Sequence, residues 1–391
     1  MHDRIASVDV FLFERPRETA YLGKPGADET LIANRYVVRG FNGTVYPLVD
    51  RSIVVRLRDR QGVEGWGETY GLIAPHATAS IINDLLGPYL ISLPPKDPAA
   101  TWDALYALQR NRGYWGGYLA DALAALDIAL WDLSARAAGK SLQSALGRPG
   151  AGELPAYVSG LPAPTQPERI DMALRWKEDG FGRVKIPISH TDGGDVPGEV
   201  AALRKALGDD HEIAVDMHWA YTAESAIALG AALEQSRPWF LEAPVAPEDV
   251  DAQAAVAAAI AMPLALGEEW RTDWDYRPRL ARQACSIVQP EMGHTGITQF
   301  LRIAALAKAA GAQIIPHATI GLGIFMGASL RAGLYAGAAC HEFQHTIYHR
   351  NAELLEGAAA CATGVFAVPD TAGIGVVPND DAFAFLTKID D

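Results

Sequence analysis

The sequence predicts an α/β protein built on a parallel (β/α)₈-type TIM barrel, and three observations carry that expectation. Eight short apolar runs alternate with helical patterns from about Leu154 onward. Three successive runs end on an acid, each 26 positions after the last, which is one strand-and-helix unit per step. The open doubly wound alternative calls for a Gly-rich nucleotide loop after its first strand, and none is present.

Before the barrel, strands and helices mix. Met1 to Phe13 alternates like a strand and lacks the continuous apolar core of a signal peptide. Arg15 to Asn34 is polar and Gly-rich, the character of an active-site lid. Ser52–Arg58 and Val63–Glu68 alternate about the turn at 59–62 and form a hairpin. Helical periodicity follows over Ala77–Tyr89, Ala99–Gln109 and Ala120–Ala138, the last apolar on most sides and therefore buried.

The barrel runs are Leu154–Leu161, Arg183–Ile188, Ile213–His218, Trp239–Pro244, Leu264–Glu269, Ser286–Glu291, Gln313–Ala318 and His341–His345. Gly364–Pro378 returns to short strands that should pack back on the first domain. We expect a cap over 1–130, joined by 360–391, and a barrel over 131–359.

Composition narrows the function. A net charge of −14 argues against a nucleic-acid partner. Apolar tracts interrupted by Pro263 and by Pro316 and His317 fall short of a membrane helix. The three cysteines, Cys285, Cys340 and Cys361, are widely spaced and read as small buried hydrophobes in a reducing compartment. We expect a cytoplasmic enzyme of small molecules.

Asp216, Glu242 and Glu268 are the acids that close strands. In a barrel such residues gather at the C-terminal face, where active sites are built. Three clustered carboxylates repel unless a cation neutralises them, and an all-oxygen set favours Mg²⁺, with Mn²⁺ as a substitute, over zinc. Glu291 and His317 end the next two strands, so the carboxylate can orient the imidazole for proton transfer. Lys185 should point into the same mouth. For substrate contacts we expect His218 and Trp219 after the first acid, Tyr21, Lys24 and Arg35 in or near the lid, and Tyr70 and Leu72 after the hairpin.

Taken together these residues resemble the mandelate racemase branch of the enolase superfamily. The resemblance rests on Leu126–Asp132, Gly65–Glu68, the three acids, Gln289–Glu291, Pro316–His317 and Gly373–Val376. It implies a modified (β/α)₇β TIM barrel with an α+β capping domain formed by the N-terminal region and the C-terminal tail, usually as a homo-oligomer. It also implies abstraction of the α-proton of a carboxylate to give a metal-stabilised enediolate, with Glu342 hydrogen-bonding an enediolate oxygen. Two positions depart from the branch. Pro187 stands where a second basic Lys is usual, similar to the Lys-x-Pro of rhamnonate dehydratases, and Glu291 stands where Asp is usual.

One base and no partner on the opposite face favour dehydration over racemisation, since a single His can serve first as base and then as acid. The expected activity is therefore a hydro-lyase converting an aldonate or aldarate to a 2-keto-3-deoxy acid. A cycloisomerase or epimerase is the alternative, and a non-catalytic sugar-acid-binding barrel a remote one.

Overall fold

The computed structural model describes residues 3–19, 23–27, 29–188, 194–318 and 321–390. Eight parallel strands form the barrel among these residues: Gly152–Ser159, Arg183–Pro187, Glu212–Asp216, Leu241–Glu242, Leu264–Leu266, Ile287–Val288, Gln313–Ile314 and His341–Phe343. A helix lies between each successive pair, which is the (β/α)₇β arrangement. The last strand pairs with the first, and Ala339 N–H to Ile314 O at 2.9 Å closes the ring. All eight expected runs overlap a barrel strand.

The cap sheet is antiparallel. Its order is Leu386–Lys388, Ile5–Pro16, Val49–Asp59, Glu64–Tyr70. Val10, Leu12, Ile53, Val55 and Leu57 alternate onto one face and are buried against helical residues such as Leu86, Trp102 and Leu105. That period of two is what makes the hairpin legible in sequence.

The helix Gly117–Ala137 lies between the two bodies and is buried on most sides. It approaches the Glu64–Tyr70 strand so closely that a Cβ at Gly65 or Gly67 would sit 2.3 Å from Ala129 O or 2.0 Å from Ala125 O. Two of its acids tie three segments together. Asp132 accepts from Trp66 N at 2.9 Å and Ile374 N at 2.7 Å, and Asp127 accepts from Thr298 N at 2.7 Å. The helix runs without a break through the division expected at 130 and 131, because it serves both cores at once.

Three segments differ from expectation. Arg15 and Pro16 belong to the first strand, and Thr30–Ile32 pairs with Tyr36–Val38, which pairs with Val45–Pro47. The polar lid region thus ends in a small sheet whose first strand is exposed and whose other two are half-buried, three residues each, too short for an alternation to announce them. The tail also divides: Leu386–Lys388 joins the cap, while Val365–Val368 pairs with the first barrel strand. Of the cysteines, Cys285 and Cys340 are buried and all three are free. No helix among the described residues is long and apolar enough to cross a membrane.

Candidate active site

Strand register sets the first layer of the site. Glu242 lies directly opposite Asp216 on one neighbouring strand and Ala265 on the other, and Glu268 follows shortly after Ala265. Pro187 is the register partner of Asp216 on the other side. Asp216, Glu268 and Pro187 line a cavity of about 720 Å³ at the C-terminal mouth, between barrel and cap, and Glu242 is buried behind them.

Lys185 is buried among the acids. Its Nζ is 2.6 Å from Glu242 Oε1, 2.9 Å from Glu342 Oε1 and 3.6 Å from Asp216 Oδ2. Burial alone would lower its pKa, but the charges of Glu242 and Glu342 hold it well above the ordinary lysine range. Gln289 donates to the second oxygen of Glu242 at 2.7 Å. Burial and then the neighbouring acids outweigh Lys185 and push the Glu242 carboxyl well above the usual range.

On the far side, His317 Nδ1 is 2.8 Å from Glu291 Oε2. The longer Glu side chain still makes the bridge, because its other oxygen folds back to cap the following helix through Gly293 N at 2.9 Å. His317 Nε2 lies 3.0 Å from Glu268 Oε2 and 3.7 Å from Glu342 Oε2. Burial works against protonation, yet Glu268 and Glu342 raise the imidazole well above its usual pKa.

Glu342 faces Lys185 and His317. Burial would raise its pKa, but Lys185 and His317 lower it to about 2, and its Oε2 accepts from Ala318 N at 2.9 Å.

Could these residues hold a divalent cation? Asp216, Glu242, Glu268, Glu291 and Glu342 bring five carboxylates, against Lys185 and the imidazoles of His218 and His317. The acids outnumber the bases, and a divalent cation would relieve the repulsion among them. Glu242, Glu268 and His317 each place a ligand atom within 4.8 Å of the others. Asp216 instead turns its Oδ2 to His218 Nε2 at 2.9 Å. The all-oxygen trio on adjacent strands fits Mg²⁺ or Mn²⁺, with Asp216 released from His218.

His218 and Trp219 both line the cavity with left-handed backbones, φ 46° and 55°, and Ala243 after Glu242 repeats this at 45°. Three non-glycine residues in that region at adjacent strand ends mark a strained rim of the kind found at functional sites. Trp219 N to Ala243 O at 2.6 Å supports the conformation.

Tyr70 and Leu72 also line the cavity, whereas Lys24 and Arg35 are exposed and do not. Tyr21 lies outside the described residues. Sequence reasoning missed a polar cluster beside Tyr70. Asp121 meets His294 Nδ1 at 2.7 Å and Arg271 Nε at 2.9 Å, and Tyr70 stacks on the His294 ring at 4.1 Å. Its only signal was placement, His294 shortly after Glu291 and Arg271 shortly after Glu268. Glu269, beside the third acid, was missed too; burial and then the Glu268 charge push its carboxyl up to about 7.

Comparison with known proteins gives this arrangement a family. Residues 168–382 match the enolase C-terminal domain-like family, and residues 47–147 match the mandelate racemase / muconate lactonizing enzyme N-terminal domain. A crystal structure described as a putative isomerase from Sinorhizobium meliloti is 49% identical, covers 99% of this chain and 100% of its own, and superposes with a TM-score of 0.96. The D-galactarolactone cycloisomerase of Agrobacterium fabrum is 32% identical over 84% of this chain and 89% of its own. The D-galactonate dehydratase of Pectobacterium atrosepticum is 30% identical over 86% of this chain and 91% of its own. The chain belongs to the enolase superfamily, in its mandelate racemase / muconate lactonizing enzyme branch.

Proposed function

We propose that the protein dehydrates an aldonate or aldarate to a 2-keto-3-deoxy acid, using one divalent cation, Mg²⁺ or Mn²⁺, held by Asp216, Glu242 and Glu268. One observation carries the choice of reaction. His317, hydrogen-bonded to the buried Glu291, lines the cavity, while Pro187, which cannot move a proton, lines it beside Asp216 on the other side of the barrel.

The cation would supply Lewis-acid stabilisation of charge on the substrate carboxylate oxygens. Glu291 fixes His317 Nδ1 as the donor to its own carboxylate, so Nε2 is the atom that exchanges protons. In its neutral form Nε2 takes the C2 proton. The C2 electron pair then expels the C3 hydroxyl, which leaves as water on receiving that proton from Nε2, and the enol becomes the 2-keto acid. Lys185, a fixed cation 2.9 Å from Glu342, stabilises the negative charge that builds on the carboxylate. Glu342 holds Lys185 and the Ala318 amide in place.

A cycloisomerase reading is favoured by the 32% identical galactarolactone enzyme. Its first half-reaction is the same, but the leaving group would be a ring oxygen that stays attached. A library of sugar acids and their lactones, incubated with Mg²⁺, separates the two by product mass. The expected outcome is a keto acid lighter than its substrate by one water. Keto products of unchanged mass, formed only from lactones, would overturn dehydration in favour of ring opening.

A further inference from the structure

The Glu291–His317 dyad is not positioned by the barrel sheet alone. Ladder pairing between their strands covers Ile287 with Gln313 and Val288 with Ile314, and both functional side chains lie beyond it. Something else must set their separation.

The structure points to the cap. On the Glu64–Tyr70 strand, Glu68 is fully buried and leaves the cap sheet for the barrel. Its carboxylate accepts the N–H groups of Leu322, Gly323 at 3.0 Å, Ile324 at 2.7 Å and Phe325 at 3.3 Å, and the Ser52 hydroxyl. Those amides open the helix Ile324–Ala336, in the segment that follows His317. The next residue, Thr69, donates its hydroxyl to Gly293 O at 2.5 Å, and the N–H of that same glycine binds Glu291. Tyr70 then stacks on Phe325 at 5.9 Å and on His294. The fit leaves no slack: a Cβ at Gly321 would lie 2.4 Å from Glu68 Oε1, and one at Gly293 2.9 Å from Tyr70.

We propose that Glu68 and Thr69 are positioning residues, through which one cap strand grips both barrel segments of the dyad and fixes His317 against Glu291. The role rests on the dyad being the proton-transfer unit proposed above. It makes the cap part of the catalytic geometry, in addition to any part in substrate selection.

The test uses the full chain with Thr69→Val, Glu68→Gln and, as a control, Arg56→Ala. Arg56 pairs with Asp9 within the cap and touches neither dyad segment. Thr69→Val should lower kcat about tenfold, and Glu68→Gln about 100-fold, with KM within about twofold of the parent. In metal-free protein at one fixed pH, the ring carbon–proton NMR signal of His317, assigned by its loss in His317→Asn, should move in both variants. Arg56→Ala should lower the melting temperature while leaving kcat and that signal in place. Should Glu68→Gln fail to fold, Thr69→Val carries the test. An unmoved His317 signal in Thr69→Val overturns the proposal, as does an equal fall in kcat in Arg56→Ala. The signal needs no substrate, so it stands even if no acid sugar is turned over and the dehydratase reading fails.

Discussion

The two walls of the cavity are built by different rules. The barrel wall is periodic and rigid: Asp216, Glu242 and Glu268 arrive one per strand, are deeply set and are locked by Lys185, Gln289 and His317. The cap wall is aperiodic. It draws Arg17 and Thr44 from loops, Tyr46 from the small sheet, Tyr70 from a hairpin end and Asp121 from the connecting helix. The difference teaches where chemistry and selectivity separate, since groups that handle charge need fixed positions and groups that sort substrates can vary with the loops that carry them. Tyr70 sits at the junction, touching His294 on one wall and belonging to the other.

The sharpest way to break this division is at the dyad. His317→Asn should abolish turnover by about 10³-fold or more, since it removes both proton transfers, while Mg²⁺ binding by calorimetry survives. Retained turnover would move the chemistry elsewhere. Next comes the metal end. Glu268→Gln should reduce kcat by roughly 10²-fold and weaken Mg²⁺ binding, and a chelator should silence the parent enzyme reversibly.

A third prediction concerns stability on the barrel side. Burial lowers the pKa of His341 and His345 to about 4, and His341 is hydrogen-bonded at both ring nitrogens, to Glu342 O and Ser329 Oγ at 2.8 Å each. The folded values lie below the unfolded 6.5. The unfolded chain therefore binds protons first as pH falls. Stability is full above about 6.5 and drains between there and about 4, by at most about 1.4 kcal/mol per pH unit for each such group. The urea midpoint should fall across this window, and His341→Gln should flatten the slope. The smallest effects should lie where the cap wall meets the barrel. His294→Ala should raise KM about three- to tenfold with a lesser change in kcat, and Lys24→Ala should change neither. A large kcat loss in His294→Ala would erase the division between the walls.

Much of this was legible because strands and helices impose a period on the chain. A barrel strand must show apolar residues to its surroundings, and its last residue faces the mouth, so the three acids, Glu291 and His317 could be read by position alone. The cap hairpin and the buried helix yielded to the same reasoning. The small sheet at 30–47 did not, because strands of three residues are too short to carry an alternation.

The sequence determined, by itself, the eight-stranded barrel and the placing of the acids at its strand ends. Each depends on residue type and on spacing along a regular element, which survive without coordinates. Only the tertiary structure decided that Glu342 pairs with Lys185, that Asp121 meets both Arg271 and His294, and that Glu68 and Thr69 hold the dyad segments. Those facts join residues far apart in the chain through hydrogen bonds whose geometry no periodicity encodes. Charge state follows the same rule, because a carboxyl takes its pKa from the neighbours that folding brings to it.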